Sequence, residues 1–180
     1  MRKLSTLAIA VVVSLAGSAA GQTDPYRTQI DRAKQLRLNG AVDQSAVIVR
    51  DVLAKDPQNF RATYTKGLIE LDKGSPKAAV STLNSAITSL RGQPAPDPTI
   101  YNTLGYALMN QGRLDDAARA FQKGYTVKDA LPATSQQKLL NNMSLLYRLK
   151  GDQASANTYL AQAAQAGSPQ ARMNMAQARK

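Results

Sequence analysis

Histidine, cysteine and tryptophan are absent from the 180 residues of the chain, and phenylalanine occurs only twice. Each absence excludes a class of chemistry. Without histidine there is no imidazole general base and no Ser–His–Asp triad. Without cysteine there is no thiol nucleophile, disulfide, Cys/His zinc site or c-type haem attachment. Acidic side chains are also scarce: 12 Asp plus Glu stand against 23 Lys plus Arg, a formal charge of +11. No cofactor or metal-ligand set is legible, and the composition carries little apparatus for catalysis. What is present is rich in Ala, Gln, Leu and Asn, which favours helix over sheet. The length suits about one domain.

The first twenty residues read differently from the rest. Arg2 and Lys3 form a positive head, Leu4 to Leu15 is an apolar run broken only by Ser5, Thr6 and Ser14, and Ala16-Gly17-Ser18-Ala19-Ala20-Gly21 supplies small residues. This is the pattern of an export leader. Residues 1–20 are expected to be a signal peptide cleaved after Ala20, with cleavage after Gly21 the near alternative. An uncleaved membrane anchor is the competing reading, but the run is short for a hydrocarbon layer of about 30 Å. With no cysteine after it, a lipoprotein anchor is excluded. The mature chain is expected to be exported, periplasmic or secreted, without an integral membrane span.

Internal repetition organises the remainder. Gly40, Gly74, Gly112 and Gly151 are spaced 34, 38 and 39 residues apart. Seven residues before each lies a small side chain: Ala33, Gly67, Gly105 and Ser144. Five after each is another, Ser45, Ala79, Ala117 and Ala156, and nine after each is apolar, Val49, Leu83, Phe121 and Leu160. The pattern predicts a helix, a tight turn at the glycine and a second helix, with small residues allowing close approach and larger ones filling the groove. Buried positions are expected to include Leu104, Ala117, Phe121 and Tyr147. Pro57 and Pro169 stand just past second helices. Ser75-Pro76 suggests an N-cap with a first-turn proline, and Asp152 another cap. The segments Pro94–Pro98 and Ala130–Ser135 are expected to be loops between units.

These residues resemble the tetratricopeptide repeat family. The third unit, Tyr101-x2-Leu104-Gly105-x2-Leu108 followed by Ala117-x3-Phe121, is similar to the family pattern W-x2-L-G-x2-Y…A-x3-F. The fourth unit agrees through Leu140, Met143, Ser144, Tyr147, Ala156, Leu160 and Ala163. The second departs at Lys66 and Glu70, and the first at Gln29, Arg32 and Ser45. The resemblance implies an all-α, right-handed superhelical solenoid of about four helix-turn-helix units: 26–59, 60–93, 98–131 and 137–170, after a linker at 21–25. The stretch from Ala163 to Ala176 is similar to Sel1-like repeats. Residues 169–180 are expected to be a capping helix with a basic tail, because solenoid ends need a cap.

The resemblance further implies protein binding, with the first helices lining a concave groove. Helical offset from each glycine projects Arg61, Tyr64, Thr65, Leu68 and Asp72 into it from unit two; Asn102, Thr103, Tyr106 and Asn110 from unit three; and Lys138, Asn141, Asn142, Leu145 and Arg148 from unit four. Asparagine amides offer both a donor and an acceptor to a peptide main chain, and tyrosines offer apolar area with a polar tip. The competing reading is that these amides only solvate a helix face. The subset of the family that clamps a chaperone tail uses two Lys, two Asn and an Arg. The corresponding positions here are Tyr64, Leu68, Thr103, Lys138 and Asn142, and only Lys138 agrees, which argues against that role.

Beyond the leader the chain carries 21 basic and 12 acidic residues, and residues 137–180 alone contribute +5 through Lys138, Arg148, Lys150, Arg172, Arg179 and Lys180 against Asp152. This basic pole admits an anionic envelope component as a partner, or serves solubility alone. Nucleic acid is not expected, since no aromatics interleave the basic segment. Asp115 and Asp116 are neighbours at a helix start, where they serve the dipole rather than acid–base work. Glu70 and Asp72 have no visible partner carboxylate for glycoside hydrolysis. The chain is therefore expected to be a non-catalytic interaction scaffold in envelope assembly or secretion: pilus assembly, a secretion system or polysaccharide export. The alternative is a structural module that self-associates through its convex face or its cap.

Overall fold

The computed structural model describes residues 24–90, 95 and 97–177. The expected leader, its cleavage site, Pro94 and Pro96 of the Pro94–Pro98 loop, and the basic residues Arg179 and Lys180 lie outside them. The described residues form nine α-helices and no strand: α1 (Arg27–Leu38), α2 (Val42–Lys55), α3 (Phe60–Asp72), α4 (Pro76–Ser89), α5 (Thr99–Met109), α6 (Leu114–Thr126), α7 (Ala133–Leu149), α8 (Gln153–Gln165) and α9 (Pro169–Gln177). A short 3-10 turn, Lys128–Ala130, precedes α7. Instead of a loop reaching Ser135, that turn occupies the segment's start and α7 begins at Ala133. Pro132 holds an extended conformation at its N-cap, and its carbonyl accepts from the amides of Ser135 and Gln136.

The helices pair as hairpins: α1 with α2, α3 with α4, α5 with α6, and α7 with α8. Each hairpin turns at a glycine in left-handed conformation, as Gly40 shows (φ 81°). Its amide donates to the Arg37 carbonyl at 3.1 Å and that of Ala41 to Leu36 at 2.9 Å, so the last carbonyls of α1 are satisfied while the chain reverses. Helix starts are held less uniformly. Asn59 and Asp152 accept from the amides of Ala62 and Ser155. Ser75, expected to cap α4, makes no such bond, so Pro76 alone, with its pre-set φ, starts that helix.

Close approach within a hairpin depends on missing side chains. A Cβ on Gly67 would lie 2.6 Å from Leu83 Cδ2, and one on Gly105 would lie 2.5 Å from the Phe121 ring. Leu83 and Phe121 are completely buried and belong to the central core, which runs through units two to four with Ile100, Leu139, Met143 and Leu146. Unit one has its own cluster of Ile30, Ala33, Val49 and Val52, joined by Ala62 and Ile69 of unit two. Ser45, polar at a packing position, is 0% exposed and donates to the Ala33 carbonyl at 2.7 Å, so its burial leaves no unmet donor. Tyr147 is only half-buried, against expectation, because it stands on the last hairpin. It stacks on Tyr159 at 5.3 Å between centroids, with no further hairpin among the described residues to cover it. α9 packs against α8 and inserts Ala171 beside Leu140 and Ala163, covering part of that end.

The stacking of hairpins sets the curvature. First helices α1, α3, α5 and α7 touch in sequence, whereas across units α2, α4 and α6 pack mainly on the next unit's first helix. The first helices therefore form the inner face. Polar ties join the turn regions of successive units: Lys73 Nζ to Asp43 at 2.6 Å, Gln111 Nε2 to the Pro76 carbonyl at 3.0 Å, and Lys150 Nζ to Asp115 at 2.6 Å.

Candidate functional site

Three first helices, α3, α5 and α7, together build a concave hollow of about 400 Å³ on the inner face. Leu68, Leu71 and Asp72 come from α3 and its end; Asn102, Thr103 and Tyr106 from α5; and Lys138, Asn141 and Asn142 from α7. The repeat explains this convergence. Leu68 and Tyr106 stand six residues before their glycines, Asn102 and Asn141 ten before, and Thr103 and Asn142 nine before, so equivalent side chains fall in file across the units.

The chemistry of the hollow is graded from one side to the other. On α3, Leu68 and Leu71 are half-buried apolar groups packed against the core. Asp72 is already neutralised, because Arg37 Nη1 donates to both carboxylate oxygens, at 2.9 and 3.2 Å. On α5, Tyr106 is 41% exposed, a large aromatic ring left open in a concavity. On α7, Lys138 is exposed and pairs with no carboxylate among the described residues. Between them, Asn142 Nδ2 donates to Asn102 Oδ1 at 3.0 Å. That bond fixes both amide orientations and leaves an Asn102 N–H₂ group and an Asn142 carbonyl to serve other partners.

Several residues expected in the groove are committed elsewhere. Tyr64 is only 5% exposed, and its hydroxyl lies 2.9 Å from Thr99 Oγ1 and 3.0 Å from Thr103 Oγ1, tying unit two to unit three. Burial raises its phenol pKa, with the threonine bonds opposing in part, so the ring stays neutral. Thr65 is 0% exposed and its hydroxyl donates to the Arg61 carbonyl. Thr103 touches the hollow, but it is buried and bonded to Tyr64. Tyr64 and Thr103 thus meet in the seam between α3 and α5, and Thr65 is buried rather than on the open face. Asn141 reaches the hollow, yet its Nδ2 donates to Ser168 Oγ at 2.9 Å and secures the cap, while its buried Oδ1 lacks a partner. Arg61, Asn110, Leu145 and Arg148 do not line the hollow. Arg61 lies 3.9 Å from Asp24, and Leu145 packs on the core. Leu71 and Arg37 were not anticipated. Both stand three residues before their unit's glycine, the register of Arg148, so the offset that selected Arg148 also points to them.

A larger hollow of about 620 Å³, lined by residues such as Pro57, Gln58, Thr63, Ser81, Asn84 and Ser85, lies against α4. It presents hydroxyls and amides with no charged or aromatic group. Three of its hydroxyls, Thr63, Ser85 and Ser89, already donate to their own helix's carbonyls. The smaller inner hollow is therefore the better-equipped site. Among the described residues, no three His, Cys, Asp or Glu side chains are grouped to hold a metal, and no helix is long and apolar enough to cross a membrane.

Comparison with known proteins bears on this arrangement. Residues 31–97 match one family model described as tetratricopeptide repeat, and residues 98–130 match another of the same description. No curated protein matches the chain. Solved structures with the same fold include PilF of Pseudomonas aeruginosa, with a TM-score of 0.73 and 20% identity over 84% of this chain. This chain spans 66% of the PilF chain. MamA of Desulfovibrio magneticus RS-1, from residue 41 onward, superposes with a TM-score of 0.64 and 19% identity, covering 78% of this chain and 75% of that one. The APC/C hetero-tetramer Cut9–Hcn1 gives a TM-score of 0.72 and 15% identity, covering 82% of this chain and 28% of the other. At these identities the likeness is one of fold.

Proposed function

Since the chain belongs to the tetratricopeptide repeat family, we propose that it is a non-catalytic scaffold holding an extended segment of a partner protein in the inner hollow of units two to four. The observation that carries this reading is the company kept by Tyr106. An aromatic ring 41% exposed within a concavity, flanked by an oriented amide pair and an ammonium with no carboxylate partner among the described residues, has the makeup of a binding hot spot. Affinity is expected to be modest, in the micromolar range or about −8 kcal/mol, since ordering a free segment offsets much of the contact energy.

We place this activity in envelope assembly or secretion, on the strength of the basic head, apolar run and small-residue stretch of residues 1–21. The native protein should begin near Gly21 or Gln22, and N-terminal sequencing that returns Met1 overturns the placement. The binding itself is tested by crosslinking in the native envelope followed by mass spectrometry. The wild type is compared with a Tyr106→Ala/Asn142→Ala variant shown to remain fully helical. Capture should fall in the variant; undiminished capture removes the partner from the hollow and favours the basic C-terminal face.

A further inference from the structure

We infer that the occupant of the hollow is an acidic–apolar segment, in which an apolar side chain seats beside Tyr106 and Leu68 while a side-chain carboxylate, three to five residues away, meets Lys138. This rests on the binding reading above and specifies its ligand. The argument is one of unequal ends. The α3 side offers Leu68 and Leu71, and its only charge, Asp72, is already held by both of its oxygens on Arg37. A cationic group on the ligand finds no free carboxylate there. The α7 side offers an ammonium without a carboxylate partner among the described residues. One exposed ammonium suits one carboxylate. It does not build the convergent set of donors that a chain terminus, with its two oxygens and no further backbone, needs for selective capture. An internal aspartate or glutamate is therefore the better match.

The separation follows from packing. Neighbouring helices lie about 8–10 Å apart, so α3 and α7 are about 16–20 Å apart across α5. An extended chain advances about 3.3 Å per residue and crosses that distance in five or six residues. The reach of a lysine side chain and the width of the apolar patch shorten this to three to five. Midway, the Asn102–Asn142 pair presents a donor and an acceptor to one peptide group. That pairing holds the main chain while the two ends select the side chains.

The test uses N-acetylated ten-residue peptides on an Ala/Ser framework, C-amidated with one Leu and one Asp placed two to seven residues apart, or carrying Leu and a free C-terminal carboxylate in place of the Asp, and fluorescence anisotropy with the whole protein. Binding should be tightest at separations of three to five, about fivefold weaker when Asp is replaced by Asn, and weaker again in high salt. Lys138→Ala should abolish the difference between Asp and Asn peptides, and Lys138→Arg should restore it. Tyr106→Ala should weaken both peptides alike. Equal binding of Asp and Asn peptides to the wild type, with Tyr106 still required, overturns the inference and leaves the hollow as the binding surface. Binding indifferent to Tyr106 overturns the site as well. Preference for a free C-terminal carboxylate over the internal Asp, or no binding by any peptide at millimolar concentration, also overturns the inference.

Discussion

Adding a single methyl group at Gly105 should cost this protein stability, although the residue lies within a helix, where alanine is intrinsically preferred by about 1 kcal/mol. The new Cβ would sit 2.5 Å from Cδ1 and Cε1 of Phe121 and 2.8 Å from Cγ. Carbon atoms in favourable contact stand about 3.5–4.0 Å apart, so the overlap is about 1 Å against a rigid ring. Phe121 is completely enclosed, with Ile100, Leu104 and Leu139 in the same core, and it has no open direction in which to swing. Overpacking of this kind costs about 1–3 kcal/mol. The upper part of that range applies here, and it outweighs the propensity gain to leave a net loss of about 1–2 kcal/mol. Unit one supplies the internal control, because at the same two positions it carries Ala33 and Val49, a larger residue facing a smaller one. Phe121→Val alone should lose about 2–3 kcal/mol through the cavity it opens. Combined with Gly105→Ala, the total should fall short of the sum by at least about 1 kcal/mol, since the added methyl occupies released space. Urea unfolding followed by far-UV circular dichroism gives all four stabilities. A neutral or stabilising Gly105→Ala, or strict additivity in the double variant, would refute the account of hairpin packing.

Tyr64→Phe should lower stability by about 1 kcal/mol, by removing the hydroxyl shared with Thr99 and Thr103. It should leave partner capture unchanged, and a capture defect without loss of stability would return Tyr64 to the binding surface. Asn59→Ala should cost about 2 kcal/mol in the same unfolding assay, because Asn59 is buried, caps α3 and donates to both Asp24 and Asp56. A change within error would mean the cap carries nothing. The hydrogen bond and charge of Lys150 hold the Asp115 carboxyl below its ordinary value of 3.8. Its contribution is thus present above that unfolded value and lost as pH falls through the folded one. Carbon-detected titration should show Asp115 moving up towards 3.8 in a Lys150→Met variant, and an unmoved titration would remove the pair from the inter-unit tie.

The repeat was legible because its signals are compositional and recur: a glycine where φ must be positive, small residues where helices meet, and a large residue opposite them. Four units agreeing at such positions overrule local anomalies, which is why Ser45 did not disturb the first hairpin. The hollow was legible in outline only. Offset from a glycine gives the direction in which a side chain leaves its helix, but not whether the neighbouring unit covers it. Thr65 and Asn142 share one offset, yet Thr65 is fully buried while Asn142 stays partly open. Tyr64 illustrates the second difficulty. A phenol reads equally well as an anchor for a ligand and as an anchor between units, and only the placement of Thr99 and Thr103 decides. Arg37 was missed because its partner Asp72 lies 35 residues away, in the next unit.

The ties between turns also impose an order on the units. Each uses the residue just before one unit's glycine and a group two or three residues past the glycine of the unit before it. Unit two carries Lys77 where units one and three carry Asp43 and Asp115. Unit three meets it with Gln111, which avoids the lysine by bonding to the Pro76 carbonyl. Excising unit three would bring Lys150 opposite Lys77, two like charges at a junction built for attraction. Duplicating unit three would place Gln111 opposite Asp115, a compatible donor and acceptor. The array can therefore lengthen at its third hairpin more readily than it can shorten there, and shuffled or permuted versions of the chain should obey the same grammar.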